Sequence, residues 1–388
     1  MRWILDHSPL PCTTVSSGLP ERTAARRRRR RRRRIVVAVV AATFVVLVAA
    51  AVAVATADDD STTHERAVAA STATTTPPRV TTTTTAPAPA ATAPPATTAT
   101  PTPPPRDLTR RYPVSTYTVD FVDTTRTESP NGSFEGAPSR TLTTTFWYPA
   151  VADGGDPDRA DGPYPLVLFV HGYDQTAAFY APLLERWASA GYVVAGPTYP
   201  FLSGIPGGAS HVDYDKLFGD SAFVIAQTLA SGPDRPIGGG LIDPSRIAAA
   251  GHSDGEMVSF TLGFSNCCTG LHLRSIITMA GDLSRADIDP VRDSGLPILD
   301  IMETNDEYDP YQGSIDWARA NLTPPRWLLT LDNASHVPPY TRPGNPHFEL
   351  VATTTVDFLD GTLKDRPDRL DQLTADVAAH PDVATLER

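Results

Sequence analysis

The sequence predicts an α/β fold from about residue 112 onward, with a mostly parallel sheet covered by helices on both faces. Two observations support this prediction. Short apolar, β-rich runs alternate with stretches of helical spacing, which is typical of a layered α/β domain. A serine between two glycines, at residues 251–255, also separates one β-rich run from one helical stretch.

The predicted elements follow one another along the chain. Residues 117–122 and 142–148 are expected to open the domain as two strands, compatible with an antiparallel hairpin. Further strands are predicted at 165–170, 192–195, 246–251, 276–279, 297–302 and 327–331, and helices at 177–189, 220–229, 256–264 and 348–364. The domain is thus expected to span residues 112–365, and the charged, weakly helical tail 366–388 has no assigned role.

Charge is divided unevenly along the 388 residues. Residues 1–34 hold eleven arginines, nine of them in the run 26–34, against Asp6 and Glu21, a net charge of +9. The rest of the chain holds 22 basic and 42 acidic side chains, a net charge of −20. An acidic main domain argues against nucleic acid as a partner, because phosphate contacts need a basic face.

An apolar segment at residues 35–57 follows the arginine run directly. As a helix it would reach roughly 34 Å, which matches the ~30 Å hydrocarbon core of a bilayer. The positive-inside tendency predicts that residues 1–34 are cytoplasmic and that everything after residue 57 is extracytoplasmic. We therefore expect a single-pass anchor in the cell membrane. The triplet 55–57 also resembles a signal-peptidase site, so secretion after cleavage near Ala57 stays open.

Residues 58–111 are predicted to form a disordered stalk. Between 72 and 105 every residue except Arg79 and Val80 is Thr, Ala or Pro, a composition that cannot bury enough apolar surface to fold. Cysteine is scarce, which excludes a disulfide scaffold and a zinc finger. Cys267 and Cys268 are adjacent and are compatible with a vicinal disulfide, two buried thiols or a bridge between copies of the chain.

The motif Gly251-His252-Ser253-Asp254-Gly255 is the strongest chemical signal. It fits the G-x-S-x-G nucleophile elbow, in which a serine occupies a tight strand-to-helix turn. The alternative is an ordinary junction with an inert serine. The predicted strand before it and the predicted helix after it favour the nucleophile.

A base and an acid should follow the serine in the order Ser, acid, His. His336, on a polar loop after the last predicted strand, is the expected base, and His347 is the second candidate. Asp306, a few residues beyond the strand at 297–302, is the expected acid that orients the histidine. The other candidates for the acid are Asp309, Glu303 and Asp282.

Two backbone N–H groups are expected to stabilise the negative charge of a tetrahedral intermediate. One should belong to Asp254, directly after the nucleophile, and the other to Tyr173, in the loop after His171-Gly172. The aromatic ring of Tyr173 is also a candidate wall of an acyl pocket.

These motifs resemble one branch of the α/β-hydrolases, which comprises dienelactone hydrolase-like and platelet-activating-factor acetylhydrolase-like proteins and cutinase-type polyester hydrolases. The resemblance rests on four motifs: Phe169-Val170-His171-Gly172-Tyr173, the Gly-His-Ser-x-Gly elbow, Glu303-Thr304-Asn305-Asp306 and Ala334-Ser335-His336. It implies the α/β-hydrolase fold and an acyl-serine mechanism without cofactor or metal. The implied triad is Ser253, Asp306 and His336. The implied substrate is a small-molecule, lipid or polymer ester.

Three carboxylates depart from this family pattern. Glu256 and Glu303 stand where glycine is common, and Asp254 places a further acid beside the nucleophile. Two alternative functions therefore stay open at this point: a peptidase or thioesterase using the same triad, and a non-catalytic cell-surface binding module on a hydrolase scaffold.

Overall fold

The computed structural model describes residues 112–266, 268–285 and 291–388. Nine strands of this part form one sheet: β1 (Val114–Asp123), β2 (Arg140–Pro149), β3 (Tyr164–Val170), β4 (Val193–Pro197), β5 (Ile242–His252), β6 (Ser275–Met279), β7 (Ile298–Glu303), β8 (Arg326–Leu331) and β9 (Ala384–Glu387). Their order across the sheet is β1-β2-β4-β3-β5-β6-β7-β8-β9. Strands β3 to β8 are parallel, whereas β1, β2 and β9 join antiparallel at the edges. The predicted α/β fold and the opening hairpin are thus confirmed.

Seven α-helices of the described residues connect these strands or follow them: α1 (Ala181–Ser189), α2 (Leu217–Leu229), α3 (Asp254–Phe264), α4 (Tyr311–Asn321), α5 (Pro338–Thr341), α6 (Pro346–Leu363) and α7 (Pro367–Ala378). The single helix expected at 177–189 begins instead as a 3₁₀ turn, Ala177–Tyr180, and becomes α-helical at Ala181. Pro182 explains the restart, because proline has no N–H to donate and is accommodated only in the first turn of a helix.

Strand β3 shows why the sequence forms a sheet buried on both faces. All seven of its residues are buried, as expected for a central parallel strand that reads as a continuous apolar run. Its side chains alternate between two core clusters. Leu168 packs in the cluster that includes residues of α2, α3 and α4, and Phe169 packs in the one that includes residues of α1, α6 and α7.

The C-terminal residues 366–388, which carried no assignment, continue the same fold. Helix α7 buries Leu373 and Val377 in the second core cluster. Strand β9 pairs antiparallel with β8, and Leu331 aligns with Ala384. The tail therefore covers what would otherwise be the free edge of β8.

Several predictions concern parts of the chain outside this description. The arginine-rich segment 1–34, the span 35–57 and the stalk 58–111 all lie outside the described residues. Cys267 does too, while Cys268 is buried, so the state of the cysteine pair stays a prediction. Among the residues that the structure describes, no helix is both long and apolar enough to cross a membrane.

Candidate active site

Ser253 lies on the sharp turn between β5 and α3. Its backbone has φ 56° and ψ −125°, a strained conformation for a residue with a side chain. Gly251 and Gly255, on either side of this turn, leave no room for a side chain. A Cβ on Gly251 would lie 2.0 Å from the carbonyl oxygen of Gly255, and a Cβ on Gly255 would lie 2.2 Å from that of Val170. The turn thus lifts the Ser253 hydroxyl above the carboxyl ends of the parallel strands.

His336 reaches this hydroxyl from the loop that follows β8. Its Nε2 lies 3.0 Å from Oγ of Ser253. The loop is fixed at its start, where the N–H of Asn333 donates to Oγ1 of Thr304 at 2.7 Å. His336 itself is buried, so its ring has few alternative partners.

Asp306, in the loop after β7, completes the arrangement. Its Oδ2 lies 2.7 Å from Nδ1 of His336, while its Oδ1 accepts the backbone N–H groups of Tyr308 at 2.7 Å and Asp309 at 2.9 Å. Burial alone would raise the pKa of Asp306, but the hydrogen bonds from His336 and from the N–H of Asp309 hold this pKa below its ordinary value. The carboxylate is therefore charged and aimed at the imidazole.

The other candidate acids have different partners. Asp309 pairs with the guanidinium of Arg285, and Asp282 accepts the backbone N–H of Ser284 at 3.1 Å. Glu303 accepts the hydroxyl of Tyr340. None of these three side chains contacts His336 through a hydrogen bond in the described part of the chain.

The second candidate base, His347, also lies apart from the serine. It directs Nε2 to the carbonyl oxygen of Asp332 at 2.8 Å, which makes Nε2 the protonated nitrogen because a carbonyl can only accept. The structure brings Ser253, His336 and Asp306 together and leaves His347 outside the site.

Two backbone N–H groups are available for an oxyanion. Among the described residues, neither Tyr173 nor Asp254 donates its N–H to a protein acceptor, and both residues line the same cleft as Ser253. The N–H of Gly172, the residue before Tyr173, donates to the Tyr180 hydroxyl at 3.3 Å. The N–H groups of Tyr173 and Asp254, the two donors expected from the sequence, are therefore left for an oxyanion.

The cleft around Ser253 has a volume of about 440 Å³. Two partly exposed aromatic rings, Tyr173 and Tyr308, belong to its lining. Tyr308 lies against His336, with 4.9 Å between the two ring centroids. Asp174, Asp254 and Asp309 also line the cleft, against a single arginine, Arg285.

The loop between β4 and α2 supports one wall of this cleft. His211 stacks on the Tyr173 ring at 4.8 Å between centroids, and its Nε2 lies 2.5 Å from Oδ2 of Asp254. The hydroxyl of Tyr214 donates to the carbonyl oxygen of Asp254 at 2.7 Å. This loop therefore contacts both Tyr173 and Asp254, the two residues expected to supply the oxyanion donors.

Three buried carboxyl groups lie beneath the site. Glu256, Asp300 and Glu303 are at most 1% exposed. Both carboxyl oxygens of Glu256 lack a hydrogen-bond partner among the described residues, and Gly281 leaves it room, since a Cβ there would lie 2.5 Å from Cδ of Glu256. Burial raises the pKa of Asp300 to about 7 and that of Glu256 well above its ordinary value. Burial thus favours the protonated form of these carboxyl groups.

The contact between Tyr180 and His252 was not expected from the sequence. Both are buried, and they are joined by a hydrogen bond of 2.8 Å between the Tyr180 hydroxyl and Nδ1 of His252. Their positions, one before α1 and the other inside the elbow, carry no local pattern that signals the contact.

Comparisons with known proteins agree with this fold. Residues 156–291 match the chlorophyllase family. A ferulic acid esterase from Streptomyces cinnamoneus is structurally similar, with a TM-score of 0.54 and 20% sequence identity over 72% of this chain and 97% of the esterase chain. A search of curated protein sequences finds no match. The nine-stranded, mostly parallel sheet, the strained serine elbow and these two likenesses lead to one conclusion: the described domain has the fold of the α/β-hydrolase superfamily.

Proposed function

We propose that the domain beginning at residue 112 is a serine hydrolase of carboxylic esters. The observation that carries the proposal is the unbroken hydrogen-bonded series of Ser253, His336 and Asp306, with contacts of 3.0 Å and 2.7 Å. An isolated serine is a weak nucleophile, and it becomes reactive when an oriented base can take its proton.

In the first half of the reaction, Oγ of Ser253 attacks the ester carbonyl while its proton passes to Nε2 of His336. The negative oxygen of the tetrahedral intermediate accepts hydrogen bonds from the N–H groups of Tyr173 and Asp254. When the intermediate collapses, the C–O bond to the alcohol breaks, and His336 gives its proton to the departing alkoxide. Asp306 stabilises the imidazolium during these steps and stays ionised.

In the second half, water replaces the alcohol. His336 takes a proton from the water, whose oxygen attacks the acyl carbonyl and forms a second tetrahedral intermediate. The bond to Oγ then breaks, and His336 returns the proton to Ser253. One ester and one water thus yield one acid and one alcohol, with the enzyme restored.

Two further observations favour an ester as the substrate. The structurally similar protein from Streptomyces cinnamoneus is a ferulic acid esterase. The aromatic rings of Tyr173 and Tyr308 also line the same cleft as Ser253. Such a lining suits an uncharged ester with an apolar acyl or alcohol part.

A fluorophosphonate probe tests the proposed nucleophile in the purified full chain. We expect a covalent adduct on Ser253, located by mass spectrometry, that is lost in Ser253→Ala and weakened in His336→Ala. Exposed Ser245, whose hydroxyl bonds to Asp243 at 2.6 Å, supplies the matched control: Ser245→Ala should label like the wild type. A folded chain that does not label would contradict the proposal and favour a binding module.

A panel of matched p-nitrophenyl esters, thioesters and peptide anilides then separates the remaining possibilities. Ester turnover well above the other two supports the esterase. Preferential turnover of thioesters or peptides by the same labelled serine would reassign the substrate while leaving the nucleophile in place.

We further propose that residues 35–57 anchor the enzyme in the cell membrane with its domain outside. The support is the apolar length of this segment and the arginines that precede it. In membrane fractions washed with alkaline carbonate, the full chain should stay in the pellet, and protease added to intact cells should release the domain. A mature N-terminus just after Ala57 in the medium would instead establish secretion.

A further inference from the structure

Three hydrogen bonds connect the loop of the oxyanion donors to the loop of the base. The N–H of Gly172 lies 3.3 Å from the hydroxyl of Tyr180, and that hydroxyl lies 2.8 Å from Nδ1 of His252. On its other side, Nε2 of His252 lies 2.9 Å from the carbonyl oxygen of His336. The series runs next to the nucleophile, since His252 directly precedes Ser253 in the chain.

Chemistry sets the direction of each bond. The carbonyl of His336 can only accept, so Nε2 of His252 carries a proton and donates. A neutral His252 then accepts at Nδ1, and Tyr180 must be the donor. The Tyr180 oxygen is thereby left to accept the N–H of Gly172. With His252 neutral, each of the three bonds has one donor and one acceptor, and the Tyr180 hydroxyl proton is used as well.

The surroundings of His252 keep it neutral. Its side chain is 1% exposed. Burial and the neighbouring His336 lower its pKa to about 3. A charge there would oppose the proposed imidazolium, because the rings of His252 and His336 are 4.8 Å apart.

The packing leaves this series little freedom. A Cβ on Gly172 would lie 3.0 Å from the Tyr180 hydroxyl and 3.2 Å from Nδ1 of His252. The ring of Tyr340 lies edge-on to His252 at 4.8 Å between centroids. A displacement of either loop would therefore be transmitted to the other.

We propose that Tyr180 and His252 are a positioning pair for the proposed ester hydrolysis, on which this inference rests. Tyr180 engages the Gly172 N–H and leaves the next N–H, that of Tyr173, to the oxyanion. His252 holds the backbone of His336 so that Nε2 stays within reach of Oγ of Ser253. Both residues are only 1% exposed and act through the neighbouring groups that meet the substrate.

The test uses the purified full chain with p-nitrophenyl butyrate as substrate and a fluorophosphonate titration to count active sites. Tyr180→Phe and His252→Phe should each lower kcat per titrated site roughly 10- to 100-fold, the loss expected when reacting groups are misplaced by about 1 Å. KM should stay close to that of the wild type. Affinity for phenylboronic acid, which forms a tetrahedral adduct on serine, should fall together with kcat.

Two further variants distinguish positioning from general loss of structure. His252→Gln keeps an amide N–H able to reach the His336 carbonyl and should recover much of the kcat lost in His252→Phe. Tyr192→Phe removes another buried hydroxyl, which donates to Asp360 at 2.7 Å away from the site, and should keep the kcat of the wild type per titrated site.

The outcomes separate this inference from the proposed function. Wild-type kcat and boronate affinity in Tyr180→Phe and His252→Phe overturn the positioning pair and leave the esterase intact. A wild-type chain that neither labels nor turns over esters overturns both together.

Discussion

Asp306 and His336 form a hydrogen bond of 2.7 Å between Oδ2 and Nδ1, and the two side chains are only 3% and 6% exposed. The bond leaves Nε2 of His336 as the nitrogen that faces Ser253. A buried carboxylate in this position selects the imidazole tautomer and stabilises its charged form.

Asp306→Asn should therefore abolish most of the activity without unfolding the domain. An amide cannot stabilise the imidazolium and can stabilise the wrong tautomer, so we expect kcat to fall roughly 10³- to 10⁴-fold with a small change in KM. Steady-state kinetics and circular dichroism check this. Asp282→Asn is the matched control, because the Asp282 side chain accepts the N–H of Ser284 at 3.1 Å and does not line the cleft, and it should keep most of the activity. Equal losses in the two variants would contradict the assignment of Asp306 as the acid.

Asp254→Asn should relax discrimination against anionic substrates. Asp254 lines the cleft together with two other aspartates and one arginine, so a negatively charged ester is repelled. The backbone N–H is retained in the variant. We expect the ratio of kcat/KM for a succinate monoester to that for the neutral butyrate ester to rise about threefold to tenfold, which corresponds to about 1 kcal/mol between charges near the surface. An unchanged ratio would show that the charge of Asp254 does not affect the choice between anionic and neutral esters.

Asp300 should make the domain less stable as the pH rises. Burial raises its pKa from 3.8 to about 7 in the folded state, so between these values the folded state binds more protons than the unfolded state. Stability is then lost with rising pH across this window, at up to about 1.4 kcal/mol per pH unit for one such group. Asp300→Asn should reduce this loss of stability with rising pH and should stabilise the domain at pH 8, as measured by urea denaturation.

The control for Asp300 is Asp371→Asn, because the Asp371 side chain is 82% exposed. Its stability profile should follow that of the wild type. A variant at position 300 that keeps the wild-type slope between about pH 4 and pH 7 would show that the carboxyl does not titrate in this range.

Arg140→Met should destabilise the domain strongly. The Arg140 side chain is fully buried and binds Asp213 at 2.7 Å and Asp220 at 2.6 Å. Its removal takes the buried cation from both carboxylates, which keep only the partly exposed Lys216 and Arg126 as cationic partners among the described residues. Breaking a buried ion-pair network of this kind costs about 3–5 kcal/mol. Arg366→Met, which removes an exposed pair with Asp368, should cost less than about 1 kcal/mol. Similar midpoints of urea denaturation for the two variants would contradict a large contribution of the buried Arg140 ion pairs to stability.

Much of the sheet could be predicted from the sequence, because central parallel strands are continuous apolar runs. Strand β9 could not be predicted. It has four residues, of which only Ala384 is fully buried, and its extended conformation comes from pairing with β8. Helix α4 was missed for a similar reason, since Ile315 and Ala318 are its only fully buried apolar residues. Short or largely polar elements are defined by their tertiary neighbours, which local patterns do not record.

The sequence by itself determined that a serine at an elbow is followed by acids and then by a histidine, because chain order and glycine spacing are local properties. Only the tertiary structure decided which donors and acceptors meet. Asp306 and Asp309 are three residues apart on one loop, yet one contacts His336 and the other Arg285. The contact between Tyr180 and His252 joins residues 72 positions apart. Hydrogen bonds require their atoms within a few tenths of an ångström of a fixed distance, and only the packing of the whole domain sets positions that closely.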